Sequence, residues 1–477
     1  MITSNKLVGR LKEQQILQEC VNSNKAELIA VYGRRRVGKT FLIKKFFKEK
    51  FDFYVSGVYD TNRQNNIKLF LNAIRQYSND YVPEVDNWID VFEIFKNFIL
   101  KLKQRKKSKH IVIFIDELPW FDNQKSNFFT IFGNFWNSFA VDIDNLKLIV
   151  CGSATTWMVN KLFSDKGGLH NRVTRRIFLT PFSLKETEEF LLNHNFDWDK
   201  NSILKAYMIL GGIPFYLSLL KSNLSLSQNV DSLFFNKYGE LKMEYDFLFN
   251  SLFNNSTTYQ KIIELLADRV NGLTRKDIIT LLKIPDNGTI TEILNNLVNC
   301  NFLEVYNSFG NYVNNKIYRL IDLYSFFYIK FVAKYNGKEE DHWSKLSDTI
   351  KNNWYGYAFE QVCFNHINQI KQALGLTIIS TEISSWYYNK DGIKAQIDLI
   401  IDRKDNYIDL CEIKYSSSSY ILTKDYSEYL EERKELFRQL SKTSKSLRLV
   451  LISNRDFKEN MYTANFTTRV NILDLYK

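Results

Sequence analysis

Three short apolar runs separate longer stretches with a helical period in the first part of the chain. Runs of five or six mostly apolar residues predict buried strands at 28–32, 111–115 and 146–151. Between them, apolar residues recur every three or four positions, which predicts helices over 11–21, 41–47 and 61–107. Strands buried on both faces and alternating with helices are typical of an α/β domain built on a parallel sheet.

A glycine-rich loop follows the first predicted strand and precedes a predicted helix. Its residues fit the pattern G-x-x-x-x-G-K-[ST] with Gly33, Arg34, Arg35, Arg36, Val37, Gly38, Lys39 and Thr40. Such a loop wraps phosphates with its backbone N–H groups, and the helix N-terminus favours the anion. Lys39 would reach the β- and γ-phosphates and Thr40 would bind Mg²⁺. A chance glycine turn is the alternative, and the flanking strand and helix favour an ATP site. The sequence assigns no role to the three arginines, whose side chains could face solvent or a partner.

Two carboxylates, Asp116 and Glu117, end the second apolar run. Ligands bind at the carboxyl ends of the strands in open α/β sheets. Asp116 would hold Mg²⁺ through its water shell, and Glu117 would polarise the water that attacks the γ-phosphate. An acidic turn after a strand is the alternative, and the preceding phosphate-loop pattern makes it the weaker one.

Polar residues after the third apolar run complete the candidate ATPase site. Ser153 follows that strand, where it would bridge the γ-phosphate and the attacking water or cap the next helix. Arg172 is the first candidate for stabilising transition-state charge, with Arg175 second. For both arginines a surface position without a catalytic role is the alternative.

Residues 7–220 resemble the AAA+-type ATPases of the signal-transduction (STAND) branch, in the archaeal ATPase group. The resemblance is carried by 7–10, 31–40, 114–117, Gly152-Ser153, Arg172, 180–183 and 210–214. It implies ATP as ligand and a helical lid whose Pro214 approaches the nucleotide. The chain has His170-Asn171-Arg172 where the family often has Tyr-Gly-Arg, which weakens the case for the arginine.

The middle of the chain predicts a winged-helix domain. Helices are predicted from Tyr259 to Ala267, from Thr274 onward and from Thr289 to Asn299, followed by two short strands. The third helix contains no Lys or Arg, so it offers nothing to neutralise DNA phosphates, and we favour a spacer or protein-interaction role. An aromatic-rich helix for core packing is predicted over 318–335.

A second group of charged residues lies in the C-terminal part. Glu360 is on a predicted helix, Asp398 is on a strand, and Glu412 and Lys414 share one face of the returning strand. Two carboxylates, Asp398 and Glu412, can bind Mg²⁺, and a lysine can orient water near a scissile phosphate. An amphipathic hairpin with surface charges is the alternative.

Residues 355–415 resemble the PD-(D/E)xK nuclease superfamily, in the form fused behind this ATPase group. The match covers Glu360, Asp398, Glu412 and Lys414. The resemblance implies Mg²⁺-dependent cleavage of DNA.

Composition sets the remaining limits. The net charge of +11 permits nucleic-acid binding without requiring it. The five cysteines are scattered and lack pair spacing, which favours reduced thiols and a cytoplasmic protein. No apolar run approaches the roughly 18 residues of a membrane span, and the N-terminus has no apolar core of a signal peptide.

The expected fold is α/β: a P-loop NTPase sheet with a helical lid, then a winged-helix domain, then a PD-(D/E)xK-like α/β domain. The expected boundaries are 1–182, 183–245, 246–340 and 341–477. The expected function is ATP binding and hydrolysis that controls a Mg²⁺-dependent nuclease-like domain acting on DNA, with self-association or a protein partner possible. The alternative is a nucleotide-operated switch or DNA-binding regulator without nuclease activity.

Overall fold

A computed structural model gives the fold of the chain. It describes residues 6–78, 80–106, 109–123, 126–153, 155–163, 169, 171–253, 255–309, 316–337, 339–390 and 392–477. The chain divides into two compact units, Met1–Pro181 and Phe182–Lys477. Among the described residues, no helix combines the length and apolar character that crossing a membrane needs. All five cysteines are buried and free of disulfides, as the sequence predicts.

The first unit is a five-stranded parallel sheet covered by helices. Its strands are β1 (Glu27–Tyr32), β2 (Phe53–Ser56), β3 (Ile111–Asp116), β4 (Leu146–Gly152) and β5 (Arg175–Phe178). Its helices are α1 (Leu11–Asn22), α2 (Lys39–Phe46), α3 (Arg63–Tyr77), α4 (Trp88–Lys106), α5 (Phe128–Ser138) and α6 (Thr155–Trp157). The strand order is β2-β3-β4-β1-β5. Because β4 lies between β1 and β3, the carboxyl ends of these three strands are neighbours.

The helical stretch predicted over 61–107 is two helices rather than one, α3 and α4. The chain between them contains Pro83, which lacks a backbone N–H and cannot continue a helix. Both helices pack aromatic side chains on the sheet around Phe53, Phe70 and Phe95, all of them fully buried. This aromatic core covers one face of the sheet, and loops connect the ends of the strands.

The second unit contains an eight-stranded mixed sheet and many short helices. Its strands are β6 (Leu273–Thr274), β7 (Leu303–Ser308), β8 (Lys316–Leu320), β9 (Thr381–Lys390), β10 (Ile393–Arg403), β11 (Tyr407–Lys414), β12 (Tyr420–Ile421), β13 (Ser446–Ser453), β14 (Phe457–Lys458) and β15 (Thr468–Asn471). The large sheet has the order β15-β13-β11-β10-β9-β7-β8-β6, and β12 pairs with β14 separately.

The helices of the second unit begin directly after the first unit ends. They are α7 (Leu184–Asn193), α8 (Lys200–Leu210), α9 (Pro214–Ser218), α10 (Leu226–Val230), α11 (Glu244–Leu252), α12 (Ser256–Ala267), α13 (Arg275–Leu282), α14 (Gly288–Asn299), α15 (Leu323–Phe327), α16 (His342–Lys345), α17 (Asp348–Asn365), α18 (Ile367–Ala373), α19 (Lys424–Ser441) and α20 (Ile472–Leu475). Thr274 caps α13, and its side chain and that of Asp277 form a reciprocal capping box.

The aromatic stretch over 318–335 does not form a single helix. Residues up to Leu320 belong to strand β8, and the helix begins at Leu323, where the Asp322 side chain caps it by accepting from the Ser325 amide. Strand β7 pairs antiparallel with β8 and also runs parallel to β9 through Asn307 and Ser308. One sheet therefore continues across residue 340, where the sequence suggested a domain boundary.

A buried histidine joins two elements inside the second unit. His366 Nε2 accepts from the Leu184 amide at 3.0 Å, so the ring proton lies on Nδ1, which donates to the Val362 carbonyl at 2.9 Å. Burial lowers the pKa of His366 from 6.5 to about 4. Protonation of the ring would remove the acceptor that caps the start of α7.

We expect this histidine to make the second unit less stable in acid. Below pH 6.5 the unfolded chain binds a proton at His366 that the folded unit does not, so stability falls with falling pH. Between pH 6.5 and 5.0 the loss is about 1.5 kcal/mol. Hydrogen–deuterium exchange in urea, followed in peptides around Leu184 and His366, measures it. A His366→Gln variant should lack this pH dependence, and an unchanged pH dependence would contradict the assignment.

Candidate functional site

Two glycines fix the shape of the phosphate-binding loop between β1 and α2. Gly33 has a φ of 141°, and a Cβ atom there would lie 2.3 Å from the Leu179 carbonyl oxygen. Gly38 has a φ of 92° and is the residue that caps the start of α2. Side chains disfavour both conformations, so the glycines of the motif are required by the backbone.

Lys39 folds back over the loop. Its Nζ donates to the Gly33 and Arg34 carbonyl oxygens, each at 2.9 Å, and the residue is 5% exposed. A buried ammonium is stable only with such partners. The same amine therefore lies inside the loop that would surround a phosphate, as the motif predicts.

The arginines around the loop occupy different environments. Of the three loop arginines, whose surroundings the sequence left open, Arg34 is buried and Arg35 is exposed. Arg10 is also buried, and its Nη2 donates to the Val37 carbonyl at 3.2 Å. The sequence drew attention to 7–10 as a motif but gave Arg10 no role, and the structure shows it supporting the loop from the preceding helix start.

A direct hydrogen bond joins the loop to the second apolar strand. Thr40 Oγ1 donates to Asp116 Oδ2 at 2.7 Å, and the other Asp116 oxygen accepts from the Glu117 amide at 3.0 Å. Burial raises the pKa of Asp116 to about 6, opposed by the Thr40 hydrogen bond. A hydroxyl and a carboxylate side by side are oxygen ligands of the kind that Mg²⁺ takes in phosphate sites, so these residues fit that ion.

Glu117 is oriented by the end of the neighbouring strand. Its backbone is left-handed, with a φ of 46°. Its Oε2 accepts from the Ser153 hydroxyl at 2.8 Å and from the Ser153 amide at 3.1 Å. The Ser153 hydroxyl thus contacts the carboxylate predicted to polarise water, an arrangement that neither sequence interpretation of Ser153 anticipated.

The remaining predicted residues of the ATPase site lie farther along the chain. Arg172 and Arg175 are exposed, and Arg175 Nη1 donates to the Thr174 carbonyl at 3.0 Å. His170, where the chain departs from the family pattern, lies outside the described residues. Pro214 is the first residue of α9 and belongs to the second unit. The roles given to Arg172 and Pro214 stay predictions.

In the second unit the four predicted residues come together around β10 and β11, two paired strands in the interior of the large sheet. Strands β10 and β11 pair antiparallel with Leu399 opposite Cys411, which places Asp398 beside Glu412. The pairing of β10 with β9 shifts register between Ile397 and Ile400, a bulge that surrounds Asp398. Glu412 and Lys414 lie on the same face and form an ion pair at 2.9 Å.

Helix α17 adds Glu360 to this group. Burial and then the charge of Asp398 raise the pKa of Glu360 to about 8. Burial and then the charge of Glu412 raise the pKa of Asp398. Shifted carboxyl pKa values of this kind are typical of functional sites, and ion-pair networks also produce them. We call Glu360, Asp398, Glu412 and Lys414 the C-terminal centre.

Two buried arginines that the sequence did not single out also belong to the C-terminal centre. Arg319 Nη2 lies 3.6 Å from Glu360 Oε2, and Arg433 Nη2 lies 2.5 Å from Glu412 Oε2. Burial alone would raise the pKa of Glu412, but Arg433 and Lys414 outweigh it and hold that pKa below its usual value. Neither arginine could be found from local sequence, because each meets its partner through tertiary structure.

The arrangement of the C-terminal centre does not fit a divalent metal ion as the sequence predicted for Asp398 and Glu412. Glu412 Oε2 pairs with Arg433, and Oε1 accepts from Lys414 and Tyr426. Asp398 Oδ1 accepts from Gln396 Nε2 at 2.6 Å. Within the described ranges, no group of three or more His, Cys, Asp and Glu side chains could hold a metal ion.

Comparisons with known proteins find matches to two parts of the chain. Residues 7–220 match a family model described as an ATPase domain predominantly from Archaea. Residues 324–428 match a model described as Archaea bacterial proteins of unknown function. The second match spans Glu360, Asp398, Glu412 and Lys414, but the description of this family names no activity.

Individual relatives extend the likeness along the chain. An uncharacterised protein of Methanocaldococcus jannaschii is 27% identical over 448 residues, 92% of each chain. An uncharacterised ATP-binding protein of the same organism is 58% identical over 43 residues, which are 9% of this chain and 73% of that protein. The structure of a Walker-type ATPase of Pyrococcus abyssi superposes with a TM-score of 0.51 at 19% identity, covering 68% of this chain and 96% of that one, and so shares the fold.

Proposed function

We propose that this chain, whose residues 7–220 match a model of an ATPase domain predominantly from Archaea, binds and hydrolyses ATP in its first unit. One observation carries the proposal. The Thr40–Asp116 and Ser153–Glu117 hydrogen bonds gather the phosphate loop, both strand-end carboxylates and a polar residue at adjacent strand ends. This is the set of groups that phosphoryl transfer requires. The position within the STAND branch is part of the proposal and rests on the motifs at 7–10 and 210–214.

Each residue has a defined task in the proposed reaction. Lys39 turns from the loop carbonyls to the β- and γ-phosphates, and Thr40 and Asp116 would hold Mg²⁺, which supplies charge neutralisation when bound. Glu117, held by Ser153, orients the attacking water and accepts its proton. Arg172 stabilises the charge that develops on the γ-phosphate, and Pro214 contributes to the lid over the nucleotide.

Phosphate release from ATP tests this proposal directly. The full-length chain with ATP and Mg²⁺ should release inorganic phosphate over many turnovers, and ADP should inhibit. Omission of Mg²⁺ should stop the reaction. A chain that binds ATP without releasing phosphate under any metal or partner condition would restrict the function to nucleotide binding.

A second part of the proposal concerns the C-terminal centre. We propose that it belongs to a nuclease-like domain that acts on DNA and that the nucleotide state of the first unit controls it. Support comes from the gathering of Glu360, Asp398, Glu412 and Lys414 around two paired interior strands of the large sheet, with Lys414 beside the Glu412 carboxylate. Because the arrangement described does not fit a metal ion, the cleaving state differs from this one, and nucleotide binding is the proposed cause of the change.

The element order before this domain supports our proposal that the segment is a winged helix. Helices α12, α13 and α14 are followed by β7 and β8, and β6 pairs with β8. We assign the segment a supporting role, because it supplies Arg319 to the C-terminal centre and β7 to the large sheet. The competing function is a nucleotide-operated switch whose second unit binds DNA or protein without cutting.

Cleavage of plasmid DNA separates the two functions. We expect nicking or linearisation with Mg²⁺ in only one nucleotide state, and a loss of at least about 100-fold in rate for Lys414→Ala because the amine orients the water. Lys424→Ala, an exposed lysine of α19 paired with Glu428, is the control and should cut normally. If supercoiled, linear and single-stranded DNA all stay intact in every nucleotide state, the switch is the correct reading.

A further inference from the structure

The guanidinium of Arg433 contacts Glu412, one of the two carboxylates that the sequence predicted as metal ligands. Its Nη2 donates to Glu412 Oε2 at 2.5 Å, and its Nη1 donates to the Gln396 carbonyl at 2.9 Å. The Arg433 side chain is 7% exposed and that of Glu412 is 3% exposed. These two hydrogen bonds fix the position of the guanidinium. Arginine suits buried ion pairs because its planar group presents several donors in a rigid arrangement.

The second oxygen of Glu412 is engaged as well. Lys414 Nζ lies 2.9 Å from Oε1, and the Tyr426 hydroxyl donates to the same atom. Tyr426 and Arg433 are both on α19, so one helix contributes contacts to each oxygen of the carboxylate. A metal ion would have to displace contacts from this helix to reach Glu412.

The formal charges of the centre already balance. Its three carboxylates, those of Glu360, Asp398 and Glu412, are matched by three cations even when all are ionised, and the raised pKa of Glu360 lowers the negative charge further. The cations are Arg319, Lys414 and Arg433. Divalent ions are held by sites with an excess of negative oxygen ligands. A site without excess negative charge attracts a divalent ion only weakly. This attraction does not compensate for the hydration water that the ion loses when it enters.

We infer that Arg433 is the cation that neutralises Glu412 in the C-terminal centre and that it excludes a divalent ion from this carboxylate. This inference goes beyond the proposed nuclease function, because it concerns which cation contacts Glu412 and not which substrate is cleaved. Removing the guanidinium leaves a buried carboxylate with excess negative charge, which is the condition under which a divalent ion enters.

Counting bound Mn²⁺ by electron paramagnetic resonance tests the inference on the full-length, nucleotide-free chain. Arg433→Met keeps the length of the side chain and removes its charge, so it should bind one more Mn²⁺ per chain than wild type. Adding Glu412→Gln to this variant should abolish the extra ion. Arg438→Met, an arginine of the same helix paired with Glu435, is the matched control and should bind as wild type does.

The single variant Glu412→Gln decides the matter even if Arg433→Met fails to fold. With Arg433 in place it should bind as many Mn²⁺ ions as wild type. Loss of one ion would show that the metal already sits on Glu412 and would overturn the inference, as would an unchanged count in a folded Arg433→Met protein. Because neither DNA nor ATP is present, the count is independent of whether the chain cuts DNA or hydrolyses ATP.

Discussion

Replacing Lys39 with alanine is expected to weaken ATP binding by at least about 100-fold, or about 3 kcal/mol. The amine is buried inside the loop and is already surrounded by the Gly33 and Arg34 carbonyls. It is therefore positioned to exchange these neutral acceptors for charged phosphate oxygens, which make stronger bonds. Alanine removes this charge and its hydrogen bonds from the loop.

Equilibrium titration with a fluorescent ATP analogue measures this loss. The matched control is Lys45→Ala, a lysine of the same helix whose partner is the exposed Glu49. Exposed pairs of this kind contribute little, so the control should bind ATP as wild type does. If wild type and Lys39→Ala bind ATP with equal affinity, the proposed nucleotide site in the first unit is wrong.

The second large effect is expected from Glu117→Gln. The amide keeps the shape of the side chain and an oxygen to accept from Ser153, but it cannot take a proton from water. We expect kcat for ATP hydrolysis to fall by about 10²–10⁴-fold, the usual contribution of a general base. ATP affinity should stay within about threefold, because the residue acts on water rather than on the phosphates.

Phosphate release and nucleotide binding, measured on the same preparation, separate these effects. Glu19→Gln, an exposed carboxylate on α1, is the control and should leave kcat unchanged. A Glu117→Gln protein that turns over at the wild-type rate would show that another group activates the water. A protein that loses affinity as well as kcat would assign Glu117 to nucleotide binding.

The nucleotide site was predictable from sequence because its parts are local. Gly33 and Gly38 are needed for backbone reasons that a short motif records, and Asp116 follows directly from an apolar run. The sequence also gave Asp398, Glu412 and Lys414, since a hairpin of two strands brings them together. Each of these inferences needs only the geometry of neighbouring elements.

Long-range pairing was not predictable in the same way. Arg10 reaches the Val37 carbonyl, and Arg433 reaches Glu412, through tertiary packing that leaves no periodic signal. The parallel pairing of β7 with β9 is likewise set by the fold around it. These contacts change the chemistry most, because Arg433 turns a pair of potential metal ligands into a balanced ion-pair network.

Calorimetric titration of the wild-type chain with a non-hydrolysable ATP analogue and Mg²⁺ tests the central claim most directly. The account predicts one binding site per chain, with the binding heat lost in Lys39→Ala and retained in Glu117→Gln. A wild-type chain that shows no saturable binding, or one whose binding survives the Lys39→Ala change, would contradict it.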